Sequence, residues 1–131
     1  RGSVETAYFS VTGTDDGVVP FVNENNWRTN AFFCAWTAYQ TMNGMEVSSR
    51  PDFSKDATFG IALKDREVIS TNKRVTMEAG VLYKGNIPLI KVVAVNDYGH
   101  WNFKPDARLM WDFMKQFSRD PRTKKLVYGK R

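Results

Sequence analysis

The chain has 131 residues, enough for one compact domain and too few for two. Its 42% hydrophobic and 25% charged residues exclude a disordered class, and its single cysteine, Cys34, excludes an intrachain disulfide. The net charge of +5 is local. Arg119, Arg122, Lys124, Lys125, Lys130 and Arg131 stand against Asp120 alone in residues 118–131, and basic and acidic side chains are equal in number over residues 1–117. Residues 118–131 therefore read as a solvated basic tail, and the charge balance of the body points to no nucleic-acid partner.

The first element is a strand over Thr6-Ala7-Tyr8-Phe9-Ser10-Val11-Thr12, rich in aromatic and β-branched residues and stopped by Gly13. A loop follows, Gly13-Thr14-Asp15-Asp16-Gly17-Val18-Val19-Pro20, in which two glycines flank two aspartates. The spacing of Trp27, Ala31, Ala35, Tyr39 and Met42 predicts a helix from Asn25 to Asn43 with Gly44 as its C-terminal cap. Cys34, in mid-helix, reads as a small core residue. Residues 45–57 are polar and read as loop. A β excursion then covers 58–86, with strands at Phe59–Leu63, Glu67–Thr71 and Val75–Tyr83.

Leu89 to Val95 is almost continuously apolar, which suits a strand covered on both faces in a parallel sheet. The loop 96–104 leads into a final helix, 105–118, opened by Pro105 and Asp106. Leu109, Met110, Phe113, Met114 and Phe117 form its apolar stripe. No apolar run is long enough for a transmembrane helix. The fold class expected from this order is α/β.

Two loops follow strand ends and carry the chemistry-bearing residues. His100, the only histidine, stands in Asp97-Tyr98-Gly99-His100-Trp101-Asn102, and imidazole titrates near working pH without large perturbation. Asp16 suits a hydrogen bond to a ring nitrogen of His100, with Asp15 competing for the role. Trp27, Trp101 and Phe103 are candidate walls of a substrate cleft. No serine stands in a Gly-x-Ser-x-Gly elbow, so the chain supplies no obvious nucleophile. One His and one Cys make a metal site poorly supported, and the absence of a phosphate loop or dinucleotide fingerprint argues against a nucleotide cofactor.

The loop Gly13–Pro20 resembles the acid loop of α/β-hydrolases, Gly-x-x-Asp-x-x-Val-Pro, with Asp16 at the acid position. Gly99-His100-Trp101, the strand before it and the helix after Pro105 resemble that fold's histidine loop and its flanks, in the manner of bacterial esterases of the polyhydroxybutyrate depolymerase and feruloyl esterase group. The resemblance implies the C-terminal portion of an α/β-hydrolase fold, a mostly parallel sheet with flanking helices plus a β-hairpin excursion. It also implies a serine-type carboxylic ester hydrolase in which His100 and Asp16 await a serine. That serine and the oxyanion-hole loop are expected from an N-terminal segment of the same enzyme, with a homo-oligomer as the other way to complete the fold. The family leans to a secreted or envelope location. The competing expectations are a non-catalytic binding module, using aromatics and the basic tail, and a degenerate hydrolase fragment.

Overall fold

A computed structural model describes residues 5–14, 21–70, 76–96 and 104–129, with side chains from residue 108 onward in the last segment. Its elements are β1 (Tyr8–Gly13), α1 (Ala31–Met42), β2 (Lys64–Ser70), β3 (Thr76–Lys84), β4 (Ile87–Val95), α2 (Lys104–Met114), β5 (Phe117–Arg119) and β6 (Leu126–Tyr128). The main sheet has the order β1-β4-β3-β2, and β5 pairs with β6 in a separate hairpin.

The expected α/β-hydrolase portion with a mostly parallel sheet is overturned. Only β1 and β4 run parallel; β4–β3 and β3–β2 are antiparallel, and strands outnumber helices six to two among the described residues. The reason is local. Gly85, at φ +62°, and Asn86 alone connect β3 to β4, and so short a link forces the two strands to run in opposite directions. The long apolar run of β4 therefore marks a strand at the centre of a mixed sheet, buried on both faces, and does not require parallel neighbours on each side.

Alternation sorts β4 into two faces. Ile90, Val92 and Ala94 join Phe33 and Trp36 of α1 and Phe59 in one core. Val93 and Val95 join Met77 and Ala79 of β3 in the other, against which Phe9, Val11 and Leu109 of α2 pack. Helix α1 is fixed at both ends by asparagine. Asn30 accepts hydrogen bonds from the amides of Phe32 and Phe33, each at 3.0 Å. Asn43, fully buried, receives Thr6 N–H at 2.6 Å and donates to Thr6 C=O and Tyr39 C=O, both at 2.9 Å. This side chain joins the end of α1 to the start of β1. Trp36 adds a second tie, donating to Ser10 Oγ at 3.1 Å.

The face that α1 buries is Phe33, Trp36 and Gln40, one position off the stripe read from Trp27, Ala31, Ala35, Tyr39 and Met42. Cys34 is consequently exposed and not a core residue. Segment Phe59–Leu63 is not a strand, because Gly60 at φ +73° turns the chain while Phe59 and Ile61 plug the core. The final helix ends at Met114 and Phe117 starts the hairpin. The described part of the basic segment, residues 118–129, is thus folded: Asp120 Oδ1 accepts from the amides of Arg122 and Thr123, and Lys124 at φ +63° closes the turn. Arg119 is committed to the carbonyls of Lys124 and Glu5 at 2.7 and 2.8 Å.

Gly80 of β3 permits a close approach. A Cβ there would stand 2.6 Å from Leu63 Cδ1 and 3.0 Å from Arg66 Cδ, both lying across the sheet. Gly80→Ala is expected to cost about 1–3 kcal/mol in urea unfolding. Gly129→Ala, with nothing within 4 Å of the added carbon, is expected to change stability by less than about 0.5 kcal/mol. Equal unfolding midpoints for the two variants would contradict this packing.

Candidate functional site

The parallel pair sets the geometry of the site. Gly13 is in register with Val95, and Thr14 N–H donates to Val95 C=O at 3.0 Å. Asn96, the next residue of the second strand, is held by Thr76: its N–H donates to Thr76 C=O at 2.9 Å and its Nδ2 to Thr76 Oγ1 at 3.0 Å. β1 and β4 therefore end side by side at the same end of the sheet, at Thr14 and Asn96; in sequence Asp15 and Asp16 follow the first and His100 follows the second. Asp15, Asp16, His100, Trp101 and Phe103 themselves lie outside the described residues.

A cleft of about 440 Å³ opens at this end, lined by Thr14, Phe21, Asn23, Glu24, Thr58 and Asn96 among others. One wall is an asparagine turn. Asn23 Oδ1 accepts from the amides of Asn25 and Asn26 at 2.8 and 3.0 Å, Asn26 Oδ1 accepts from Asn23 N–H, and Asn26 Nδ2 donates to Phe21 C=O. Phe21 meets Phe59 and Trp36 edge-on, with ring centroids 6.0 and 6.4 Å apart, so this wall rests on the core.

The other wall is held by Arg66. Its Nε reaches Asp56 Oδ2 at 2.7 Å, its Nη2 reaches Glu78 Oε1 at 2.6 Å, and its Nη1 donates to Ala79 C=O at 3.0 Å. Asp56 in turn accepts from the amides of Thr58 and Phe59, and Thr58 Oγ1 donates to Glu78 Oε1 at 2.9 Å. Burial alone raises the Glu78 carboxyl, but hydrogen bonds from Arg66, Thr58 and Asn96 outweigh it and hold the group below its ordinary range. Glu78 thus links the strand-end residue Asn96 to the Thr58 wall. Glu24 and Phe53 continue the cleft into a wider groove with Trp27, Arg50 and Asp52. Trp27 lies half-buried against Phe33 and lines that groove.

Glu78, Arg66, Asn23 and Asn96 were not candidates in the sequence. The one signal for Glu78 is a lone acid inside the apolar strand Met77-Glu78-Ala79-Gly80-Val81. Among the described residues no three His, Cys, Asp or Glu side chains gather as a metal site. Among them also, no helix is long and apolar enough to cross a membrane. No family model, curated protein or solved structure matches the chain.

A carboxyl held low in the fold stabilises it in the ionised form. That stabilisation is full above the ordinary Glu value of 4.5 and is lost as pH falls through the lower folded value. Glu78→Gln is expected to flatten the acid limb of the stability–pH curve from urea unfolding. An acid limb identical to that of the parent would contradict the ionised Glu78 network.

Proposed function

We propose that this chain supplies the acid and the base of a serine-type carboxylic ester hydrolase, Asp16 and His100. The observation that supports the reading is the shared end: the loop bearing Asp16 and the loop bearing His100 start from adjacent residues of in-register parallel strands. The motifs Gly13–Pro20 and Gly99-His100-Trp101 add the residue types such a pair needs.

In this mechanism a serine hydroxyl from a segment or partner outside the described residues adds to the ester carbonyl carbon. Its proton passes to an imidazole nitrogen of His100. Collapse of the tetrahedral intermediate breaks the bond to the leaving alcohol, which takes the proton from His100. Water then adds to the acyl-serine by the same path, giving acid and free serine. Asp16 accepts a hydrogen bond from the second ring nitrogen, fixes the tautomer and stabilises the imidazolium. Backbone amides of the serine-bearing segment hold the oxyanion.

Because His100 is the only histidine, its ring signals are unambiguous in NMR. Pairing with Asp16 is expected to raise its pKa above the ordinary value of about 6.5. Asp16→Asn returns it to that value, and Asp15→Asn leaves it raised. In the assembly that hydrolyses a chromogenic aryl ester, His100→Ala is expected to lower turnover by about a thousandfold or more. A His100 titration unchanged by Asp16→Asn, or full turnover in His100→Ala, would overturn the reading.

A further inference from the structure

The apolar run of β4 carries one charge, Lys91, and the fold buries most of it. Met77 and Ala79 of β3 and Val93 and Val95 of β4 form the core against which Leu109 of α2 packs. Side chains alternate along a strand, so Val81 and Lys91, in register with each other, continue those two rows on the same face. The Lys91 side chain is 17% exposed, and its hydrogen bond among the described residues is a long one, 3.5 Å to Glu67 Oε1. An ammonium has three donors, and burying it without good acceptors is costly. A valine would fill the row as Val93 and Val95 do; a lysine there calls for an anion.

Beside Lys91 a cleft of about 260 Å³ opens between the sheet and the segment from Phe113 to Tyr128. Val81 and Pro88 give it an apolar floor, and the rings of Phe113 and Tyr128 line the opposite side. Phe117 joins those rings, with centroids 5.2 Å from Phe113 and 5.3 Å from Tyr128, so this wall is one aromatic row. Acid comes from β2, through Asp65 and Glu67. Tyr83 donates its hydroxyl to Asp65 Oδ2. That bond is the first cause pushing the Tyr83 hydroxyl up to about 12, so Tyr83 stays a donor at neutral pH and fixes the Asp65 carboxylate. β2 and β4 flank β3, two strand spacings or about 10 Å apart. The cleft is therefore acidic on its β2 side, cationic on its β4 side and aromatic above.

This pattern selects the occupant. An inorganic anion would meet two carboxylates, and an amine without a carboxylate would leave Lys91 as it is. A zwitterion answers both sides. Glu67, whose side chain is 50% exposed, can yield Lys91 to a better-placed carboxylate, because a long ion pair of this kind contributes little. A volume of about 260 Å³ falls below the roughly 300 Å³ at which pockets for drug-sized ligands begin, which suits a single amino acid and not a peptide.

We propose that this cleft binds a free α-amino acid with an aromatic side chain. Its carboxylate sits on Lys91 Nζ, its ammonium on Asp65, and its ring against Phe113 and Tyr128. The cleft lies toward the start of β4, at the end of the sheet opposite Thr14 and Asn96, so the inference does not rest on the ester chemistry.

The test titrates the whole chain with L-phenylalanine, with phenylpropionate, which lacks the ammonium, and with phenylethylamine, which lacks the carboxylate. Binding is read by calorimetry and by NMR shifts. L-Phenylalanine is expected to bind with a Kd of about 1 mM or below, modest for about twelve heavy atoms, and to shift the Lys91 and Tyr128 signals. Each analogue is expected to bind at least about tenfold more weakly, the effect of losing one charge-assisted hydrogen bond. Lys91→Met is expected to weaken binding by at least about tenfold without lowering the urea midpoint; a lysine that served only the fold would lower it. Asp65→Asn, which keeps an acceptor for Tyr83 and tolerates the backbone at φ +52°, is expected to weaken binding as much and tests the site if Lys91→Met does not fold. Arg50→Gln, in the groove on the other side of the molecule's core, is expected to leave binding unchanged. No binding at about 10 mM L-phenylalanine, equal binding of either analogue, or unchanged binding by Asp65→Asn or a folded Lys91→Met would overturn the proposal.

Discussion

The parallel, in-register contact between β1 and β4 carries the rest of the structure. Parallel strands cannot be joined by a tight turn, so the chain between Gly13 and Ile87 has to leave the sheet and return. It does so through α1, the plug around Phe59 and the β2–β3 hairpin, and each piece then packs on the pair that made it necessary. Residues of β4 on one face meet Phe33, Trp36 and Phe59; those on the other meet Met77, Ala79 and the α2 side. Asn43 and Trp36 tie α1 directly to β1 at Thr6 and Ser10. A slip of one residue between β1 and β4 would exchange their faces and leave both helices without their cores.

The same contact gives the molecule its one direct argument for chemistry. Side chains on loops are positioned by where the loops begin, and here two begin at neighbouring residues, Thr14 and Asn96. The cleft beside them is walled by groups already committed to one another. The asparagine turn at 23–26 is closed by its own side chains, and Arg66 satisfies Asp56, Glu78 and the Ala79 carbonyl together. An Arg–carboxylate network of this kind holds its partners in place through paired, charge-assisted hydrogen bonds. Its role here is to keep Thr58, Glu78 and Asn96 as a rigid rim.

Features that depend on local composition were legible in the sequence. The run Leu89–Val95 marked a doubly covered strand, Gly13 and Gly44 fall just at or past the ends of β1 and α1, and Pro105 stands in the first turn of α2. Features decided by long-range packing were not. One local signal was outweighed: the two-residue link Gly85-Asn86 sets β3 antiparallel to β4, while the apolar run of β4 carries no information about direction. The buried stripe of α1 contains Gln40 and ends on Asn43, polar residues satisfied by Ser48 in the loop just after the helix and by Thr6, 37 residues before Asn43. The rim residue Glu78 reads as a stray charge until Arg66 of another strand is placed over Gly80. The basic segment reads as a tail because its turn is built by Asp120 and a left-handed Lys124, which leave no periodic pattern.

The central claim is the register of β1 on β4, and contacts across that pair report it directly. Nuclear Overhauser effects measured on the chain should connect Val11 with Val93 and Gly13 with Val95, with the Thr14 amide slow to exchange because Val95 accepts its proton. Contacts shifted by one residue, contacts of the antiparallel type, or a fast-exchanging Thr14 amide would separate the two loops and contradict the account.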